Sequence, residues 1–236
     1  MAASVVFVHG AWHGAWCFDR VLEGLEERGV EAVTIDLPGH GDSTEPLCDL
    51  HDDARAVREA IDRVGGPVVL AGHSFGGMVV TEAGAHPNVR HVVYLCAFMP
   101  DEGESLAALV GSVGDPGLKA EVHTLPGERE GEVRINPGFA RELFYADVPH
   151  EDVERAVARL GPESGPAIGQ APAAIAWHDR PSTYAICTDD QAILRPLQVE
   201  MARHATETVE WPTSHSPFLS RPDLVVDLLA ELAARY

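Results

Sequence analysis

Residues 67–77 read Pro-Val-Val-Leu-Ala-Gly-His-Ser-Phe-Gly-Gly, and they join an apolar run to a helix-like run through a serine flanked by glycines. The apolar half predicts a buried β-strand, and the residues from Gly77 onward predict a helix. A serine at such a junction, here Ser74, is typical of a nucleophile elbow, because the tight turn presents Oγ to a substrate and the glycines remove side chains that would clash. Since a Gly-x-Ser-x-Gly pattern also arises by chance, its meaning depends on the rest of the chain.

The composition is compatible with a single enzyme domain of 236 residues. Hydrophobic residues make up 45% of the chain, an ordinary share for a protein that buries one full core. The net charge is −20, from 37 acidic and 17 basic residues, and no basic stripe interrupts the acidic excess. Nucleic acid and anionic membrane surfaces are therefore not expected as partners.

The first residues do not predict a targeting segment. Residues 1–9 have no positive charge ahead of their apolar run, and that run is too short for a signal peptide or a membrane span. A cytoplasmic location is therefore expected.

The pattern of cysteines and histidines predicts no metal site, and no cofactor is expected. Buried reduced thiols are favoured over disulfides because the four cysteines are scattered without a C-x-x-C pair; they are Cys17, Cys48, Cys96 and Cys187. His9 and His13 are four residues apart, but they lie on a predicted strand end and loop, and no H-E-x-x-H frame surrounds them.

Apolar runs alternate with helix-like periods along most of the chain. Six strands are predicted, at residues 4–9, 30–37, 67–71, 89–98, 182–188 and 206–211. Helices are predicted at residues 16–28 and 49–64, after Ser74, near residues 197–204 and at residues 222–236. The alternation predicts an α/β fold with a doubly wound, mostly parallel six-stranded sheet and helices on both faces.

The alternation is lost between residues 99 and 181. This segment is rich in glycine, proline and acidic residues, with helical stretches near residues 141–145 and 151–160. We interpret it as an inserted, mainly helical cap. The predicted domains are a catalytic domain of residues 1–98 and 182–236 and a cap of residues 99–181.

Partners for Ser74 are expected in the loops that follow strands, because functional groups gather at the carboxyl ends of a doubly wound sheet. The loop after residues 182–188 contains Asp189 and Asp190, and the loop after residues 206–211 contains His215. Serine, acid and histidine form a triad when the histidine takes the serine proton and the carboxylate fixes its tautomer. The loop positions alone leave both aspartates open as the acid.

The loop after the first strand supplies a candidate oxyanion hole. It reads His9-Gly-Ala-Trp12, and the glycine lets the backbone turn so that the N–H of Ala11 points toward a bound carbonyl oxygen. The N–H of Phe75, directly after the serine, would be the second donor. Loss of one such donor typically slows a reaction by roughly 100- to 1000-fold.

Several stretches resemble the α/β-hydrolase superfamily, and more closely its branch of plant methyl esterases, hydroxynitrile lyases and bacterial esterases of pyrethroid-hydrolase type. They are His9-Gly-Ala-Trp-His-Gly-Ala-Trp16, Asp36-Leu-Pro-Gly-His-Gly-Asp-Ser43, Ala71-Gly-His-Ser-Phe-Gly-Gly77, Phe98-Met-Pro-Asp101, and Cys187-Thr-Asp-Asp190 followed by Gln198. The resemblance implies the α/β-hydrolase fold over the catalytic domain, whereas the cap matches only in position and approximate length. It implies the triad Ser74, Asp190 and His215 and the oxyanion donors Ala11 and Phe75, and it selects Asp190 over Asp189.

Departures from the branch separate the reactions it contains. Its hydroxynitrile lyases carry a threonine in the oxyanion loop and a lysine after the catalytic histidine, and here those positions are Ala11 and Ser216. The only lysine, Lys119, lies in the predicted cap. Dehalogenases and epoxide hydrolases of the superfamily need a carboxylate at the elbow, whereas Ser74 suits acyl transfer through an ester intermediate.

The sequence therefore predicts a carboxylic ester hydrolase that cleaves a small-molecule ester through an acyl-enzyme intermediate. Five residues are expected to form the substrate pocket: Trp12, His73, Met99, Phe144 and Trp177. A thioesterase or a carbon–carbon bond hydrolase would use the same triad. A lyase and a non-catalytic ligand-binding receptor are the remaining alternatives, and the complete triad argues against the receptor. The resemblance, and nothing in the residues themselves, suggests a homodimer.

Overall fold

The computed structural model describes residues 2–115 and 117–236 and has nine strands within them. They are β1 (Ser4–Val8), β2 (Ala32–Ile35), β3 (Val68–His73), β4 (Val89–Leu95), β5 (Thr124–Pro126), β6 (Glu132–Ile135), β7 (Glu163–Ser164), β8 (Ser182–Cys187) and β9 (Glu207–Trp211). Six of them form one parallel sheet in the order β2-β1-β3-β4-β8-β9. The predicted six-stranded sheet is confirmed.

The helices of the described residues lie on both faces of this sheet and between β4 and β8. They are α1 (Asp19–Glu27), α2 (Leu50–Val64), α3 (Gly76–Ala83), α4 (Leu106–Gly111), α5 (Ala120–His123), α6 (Pro137–Phe144), α7 (His150–Ala158), α8 (Gly165–Ile168), α9 (Arg195–Met201), α10 (Pro217–Ser220) and α11 (Pro222–Arg235). None of these helices has both the length and the apolar character needed to cross a membrane.

Helix α2 shows how the local sequence sets the bounds of an element. The side chain of Asp49 accepts a hydrogen bond from the N–H of Asp52, which caps the first turn. Gly65 ends the helix in a left-handed conformation, with a φ of 72°, that glycine adopts at little cost. Between these ends, Val57 and Ile61 are buried against the sheet side of the helix.

Strand β1 shows why the sheet is covered on both faces. Val6 and Val8 belong to a core shared with α2 and α3, whereas Val5 and Phe7 belong to a core shared with α1 and α11. Successive side chains of a strand point to opposite faces, so an uninterrupted apolar run is stable only when both faces are covered. Each large side chain that is fully buried contributes about 1.5–3 kcal/mol.

The strands end where the candidate site begins. Strand β4 ends at Leu95, earlier than the predicted Phe98, because Cys96 has a φ of 37° that breaks the extended backbone. Strand β3 continues past the predicted Ala71 to His73, so Ser74 directly follows it. The carboxyl ends of β3, β8 and β9 therefore lie along one edge of the sheet.

Residues 99–181, called the cap segment below, contain α4 to α8 and a second sheet. Strands β5, β6 and β7 form this antiparallel sheet, which the sequence did not predict. The strands have three, four and two residues, too few to show an alternating pattern. Helices α6 and α7 lie at the two predicted helical stretches. The division of the chain into two domains stays a prediction.

Candidate active site

Ser74 lies in a strained turn between β3 and α3. Its φ is 51°, in the left-handed region that residues with a side chain rarely adopt. The turn also brings α3 against the end of β1: a Cβ added at Gly76 would lie 2.6 Å from the carbonyl oxygens of Val8 and His9. Only glycine fits there, and the motif around Ser74 is therefore required by the packing of the turn.

His215 is held by a buried carboxylate. Its Nδ1–H donates to Oδ2 of Asp190 at 2.7 Å, and both residues are only 1% exposed. Because a carboxylate only accepts hydrogen bonds, Nδ1 carries the proton and Nε2 is left free to act as a base. The structure thus brings together two side chains that are 25 residues apart in the chain.

Asp190, rather than Asp189, is the aspartate that contacts His215. Its Oδ1 accepts from the N–H groups of Ala192 and Ile193 at 2.7 and 2.9 Å. Asp189 is exposed, and its backbone carbonyl accepts from Gln191. Backbone donors fix the orientation of the Asp190 carboxylate, so that its second oxygen faces the imidazole.

Gln198 is a residue whose part in the site the sequence did not reveal. It is fully buried on α9, and its Nε2 donates to Oδ2 of Asp190 at 3.0 Å and to the carbonyl of Ile193 at 2.6 Å. Its Oε1 accepts from the N–H of Cys187 at 3.0 Å. Its only sequence signal is that it follows Cys187-Thr-Asp-Asp190 in one of the stretches that resemble the superfamily. Gln198 therefore joins the end of β8 to the acid.

His73 connects the elbow to the base. Its Nε2–H donates to the backbone carbonyl of His215 at 2.8 Å, and Sγ of Cys96 donates to the same carbonyl at 3.3 Å. The side chains of His73, Cys96 and His215 therefore cluster, with a ring nitrogen of each histidine and the cysteine sulfur within 4.8 Å of one another. Burial, and then the nearby His215, lower the pKa of His73 well below its ordinary value, so its ring stays neutral.

The two predicted oxyanion donors are available. Within residues 2–115 and 117–236, neither Ala11 nor Phe75 donates its backbone N–H to another protein group. The N–H of Ala11 shares a peptide plane with the carbonyl of Gly10, which accepts from Nδ1–H of His9 at 2.9 Å and from the N–H of His13 at 3.2 Å. Fixing this carbonyl fixes the direction of the Ala11 N–H.

The tautomer of His9 is set by its two hydrogen bonds. Its Nε2 accepts from the N–H of Leu37 at 3.1 Å, so the proton must lie on Nδ1, which faces the Gly10 carbonyl. Burial, with a smaller contribution from His40, lowers the pKa of His9 well below its ordinary value. A neutral His9 therefore holds the Gly10 carbonyl over the whole physiological range of pH.

Ser74, His215, Ala11 and Phe75 border one cavity of about 390 Å³. Its walls are mostly apolar side chains of the cap segment, from α4, α5, α6 and α8. Trp12 and Phe144, two of the predicted pocket residues, lie on this wall. The indole N–H of Trp12 donates to the carbonyl of Val133 at 3.0 Å, which joins the loop after β1 to β6.

The structure places the other three predicted pocket residues elsewhere. His73 is fully buried and binds the backbone carbonyl of His215. Met99 is fully buried, and its backbone N–H contacts Sδ of Met201. Trp177 packs on His204 with ring centroids 4.4 Å apart and donates its indole N–H to the carbonyl of Pro100. None of the three is among the described residues that line the cavity.

The parallel sheet, the serine in a left-handed turn after β3 and the buried histidine–carboxylate pair define a doubly wound hydrolase. The chain belongs to the alpha/beta hydrolase family, whose model matches residues 5–228. The predicted fold and family are therefore confirmed.

Relatives cover nearly the whole chain. An alpha/beta hydrolase of Aspergillus novofumigatus is 28% identical over 98% of this chain and 96% of its own length. Methylesterase 2 of Arabidopsis thaliana is 28% identical over 98% of this chain and 96% of its own length. The crystal structure of a pyrethroid hydrolase from Sphingobium faniae superposes with a TM-score of 0.86 at 25% identity, covering 100% of both chains. Ester hydrolysis is the activity that these relatives support.

Proposed function

We propose that this chain is a serine esterase that cleaves a small, uncharged carboxylic ester through an acyl-enzyme intermediate on Ser74. One observation carries the proposal: Ser74 and His215, whose imidazole binds the buried Asp190, border the same apolar cavity. A carboxylate-held imidazole beside a serine is the arrangement that turns a weak hydroxyl nucleophile into a strong one.

The reaction follows from this arrangement in two halves. Oγ of Ser74 attacks the ester carbonyl while its proton passes to Nε2 of His215, and the carbonyl electron pair moves to the oxygen. Collapse of this intermediate expels the alcohol, which takes the proton from His215. Water then attacks the acyl-enzyme and gives a proton to His215, and the acid leaves as Ser74 recovers its proton.

The N–H groups of Ala11 and Phe75 are the proposed donors to the oxyanion in both halves. Donors whose direction is fixed in advance stabilise the developing charge without reorganising, and one such donor contributes roughly 100- to 1000-fold in rate. The hydrogen bonds of His9 and His13 to the Gly10 carbonyl give this preorganisation to the Ala11 donor.

The cavity lining favours an uncharged substrate. Among the described residues that border the cavity, the polar ones are Ser74, Thr124 and His215, and none carries a fixed charge. The hydroxyl of Thr124 already donates to the carbonyl of Ala120 at 2.7 Å. A charged substrate group would lose its hydration without gaining a partner, at a cost on the order of several kcal/mol. The ionised product acid is disfavoured for the same reason, which promotes its release.

The proposal is tested with p-nitrophenyl butyrate, a butyryl thioester and mandelonitrile, using wild-type protein and Ser74→Ala. We expect the wild type to hydrolyse the ester and Ser74→Ala to lose at least about 10⁴-fold in kcat. Ser112→Ala, which removes a hydroxyl of the cap segment outside the cavity, is the matched control and should keep full activity. Equal, slow ester hydrolysis by the wild type and Ser74→Ala contradicts the proposal. If the wild type cleaves the thioester or mandelonitrile faster than the ester, that compound class is the substrate class instead.

Two finer expectations stay predictions. They are the cytoplasmic location and the homodimer suggested by the resemblance. Light scattering on the purified protein gives the mass in solution and tests the homodimer directly.

A further inference from the structure

The residue before the base is held by a carboxylate of the cap segment. Asp147 follows α6, and its Oδ2 accepts from the backbone N–H of Ser214 at 3.0 Å. Its Oδ1 accepts from the hydroxyl of Ser214. Ser214 is fully buried and directly precedes His215. Both oxygens of one carboxylate therefore bind a single residue of residues 212–216, which carry His215 and are called the base loop below.

The same part of the cap segment also reaches the base and the cavity. The carbonyl oxygen of Phe144 lies 3.4 Å from the hydroxyl oxygen of Ser214, whose single proton is donated to Asp147. The ring of Phe144 lies 5.6 Å from the ring of His215, centroid to centroid, and forms part of the cavity wall. A substrate that fills the cavity therefore contacts the element whose end holds the base loop.

The remaining hydrogen bonds to His215 come from the parallel-sheet part of the protein. Asp190 binds its imidazole, and His73 and Cys96 bind its carbonyl. These groups fix the side chain and the carbonyl end of the residue. Asp147 holds the other end of the short backbone stretch, through Ser214. The cap segment thus contributes one of the points that define where Nε2 lies.

We propose that Asp147 is a positioning residue for His215, so that alignment of the base depends on residues 144–147 being packed on the base loop. The inference rests on the proposed function, because it assigns a role to a residue of that same site. Asp147 acts through Ser214 and does not touch the reacting atoms. Misplacement of a catalytic group by about 1 Å can slow a reaction on the order of 100-fold. A loose base loop should therefore lower kcat strongly and change the affinity for substrate much less.

The first test compares Asp147→Ala with Asp147→Asn on p-nitrophenyl butyrate. Alanine removes both acceptors, and we expect kcat to fall about 10- to 100-fold, with KM changed much less. Asparagine keeps the contacts, since its amide oxygen can accept from the Ser214 N–H while its amide N–H donates to the Ser214 hydroxyl. We therefore expect asparagine to recover most of kcat. Glu142→Ala removes an exposed carboxylate of α6 and serves as the control with unchanged kcat.

The second test is a double-mutant cycle of Asp147→Ala with Ser214→Ala. If Asp147 acts through Ser214, the double variant should be no slower than Asp147→Ala alone, within about twofold. The proposal is overturned if the two single losses in kcat multiply in the double variant, if Asp147→Ala leaves kcat unchanged, or if Asp147→Asn does not recover the loss. Ser74→Ala is measured alongside: if it is as active as the wild type, the proposed esterase function fails, whereas an inactive Ser74→Ala with a fully active Asp147→Ala overturns the positioning role alone. Should Asp147→Ala fail to fold, we compare Ser214→Ala, which loses one of the two contacts with Asp147, with Asp147→Asn, which keeps both; kcat should be lower in Ser214→Ala, and equal kcat values overturn the proposal.

Discussion

The two regions that meet at the cavity hold their residues in different ways. At the edge of the parallel sheet, the side chains of Asp190 and His215 are fixed by hydrogen bonds of 2.7 to 3.0 Å between buried groups. The cap segment is built from short elements and leaves two large apolar side chains, Val122 and Leu125, 52% and 45% exposed. Its contacts with the cavity are mainly apolar. The proposed reacting groups therefore lie at the sheet edge, and the cap segment supplies most of the apolar cavity wall together with Asp147, which reaches the loop that carries His215.

If the reacting groups lie at the sheet edge, replacing the carboxyl group of Asp190 there should lower kcat more than any other change around Ser74, whereas replacing that of the adjacent Asp189 should not. We expect Asp190→Asn to lower kcat about 10⁴-fold, because the amide would hold His215 in the wrong tautomer. Asp189→Asn alters an exposed side chain and should stay within about twofold of the wild type. Ester hydrolysis with circular dichroism as the folding check measures both. A crippled Asp189→Asn with a mild Asp190→Asn would reassign the acid.

The link between elbow and base should have the next largest effect. His73→Phe keeps a ring but removes the donor to the His215 carbonyl, and we expect kcat to fall roughly 10- to 100-fold because a buried carbonyl loses a hydrogen bond. His73→Gln carries an amide N–H at a similar reach and should recover most of the loss. Steady-state kinetics separates the effects on kcat and KM. Equal activity in both variants would show that the contact does not matter for the base.

Enlarging the cavity from the cap side should change selectivity and leave the chemistry intact. Leu106 of α4 lines the cavity, and Leu106→Ala makes room for a longer acyl chain. We expect the ratio of kcat/KM for p-nitrophenyl octanoate over acetate to rise roughly tenfold, since methylene-sized differences in apolar pockets have effects of this size. Val122→Ala, outside the cavity, is the control. A fall in kcat for both esters would mean that α4 contributes to the chemistry and not only to the fit of the substrate.

A buried pair of acids, one on α2 and one in the cap segment, should make the stability of the protein depend on pH. Asp53 of α2 is 1% exposed, and burial together with Glu163 of β7 raises its pKa to about 7. His40 binds Glu163, and the thiol of Cys48 donates to Asp53. An acid with a raised pKa binds a proton more tightly in the folded state, so its contribution to the free energy of unfolding falls as pH rises from about 4 to about 7.

This dependence is measured as the change of Tm between pH 5 and pH 8. We expect the Tm of Asp53→Asn to fall a few degrees less over this range than the Tm of the wild type, because the variant has no proton to release at position 53. Asp52→Asn changes a half-exposed side chain on the same helix, is the control and should keep the wild-type slope. The slope is the readout, since the amide also changes stability at every pH. Parallel slopes for Asp53→Asn and wild type would contradict the prediction.

The sequence was sufficient where structure follows from local pattern. Apolar runs predicted the six strands, and the glycines around Ser74 predicted the turn that the packing of Gly76 requires. The loops after strands predicted the approach of His215 to an aspartate, because the carboxyl ends of parallel strands share one edge.

Pocket membership and hydrogen-bond partners depend on packing between distant parts of the chain. Trp12 reaches Val133 across 121 residues, and His73 reaches His215 across 142. No periodic pattern encodes such contacts, and position in the sequence therefore predicts His73, Met99 and Trp177 at the cavity wall, whereas the fold places them elsewhere. The strands of the antiparallel sheet are similarly too short to leave a pattern.

The left-handed backbone of Ser74 has a consequence for laboratory evolution. Such a conformation costs a residue with a side chain about 1–2 kcal/mol, whereas glycine adopts it routinely. Ser74→Gly would therefore relax the turn while removing the proposed nucleophile. A library selected for thermal tolerance without an activity screen should accumulate this substitution, so that its most heat-resistant members are among its inactive ones.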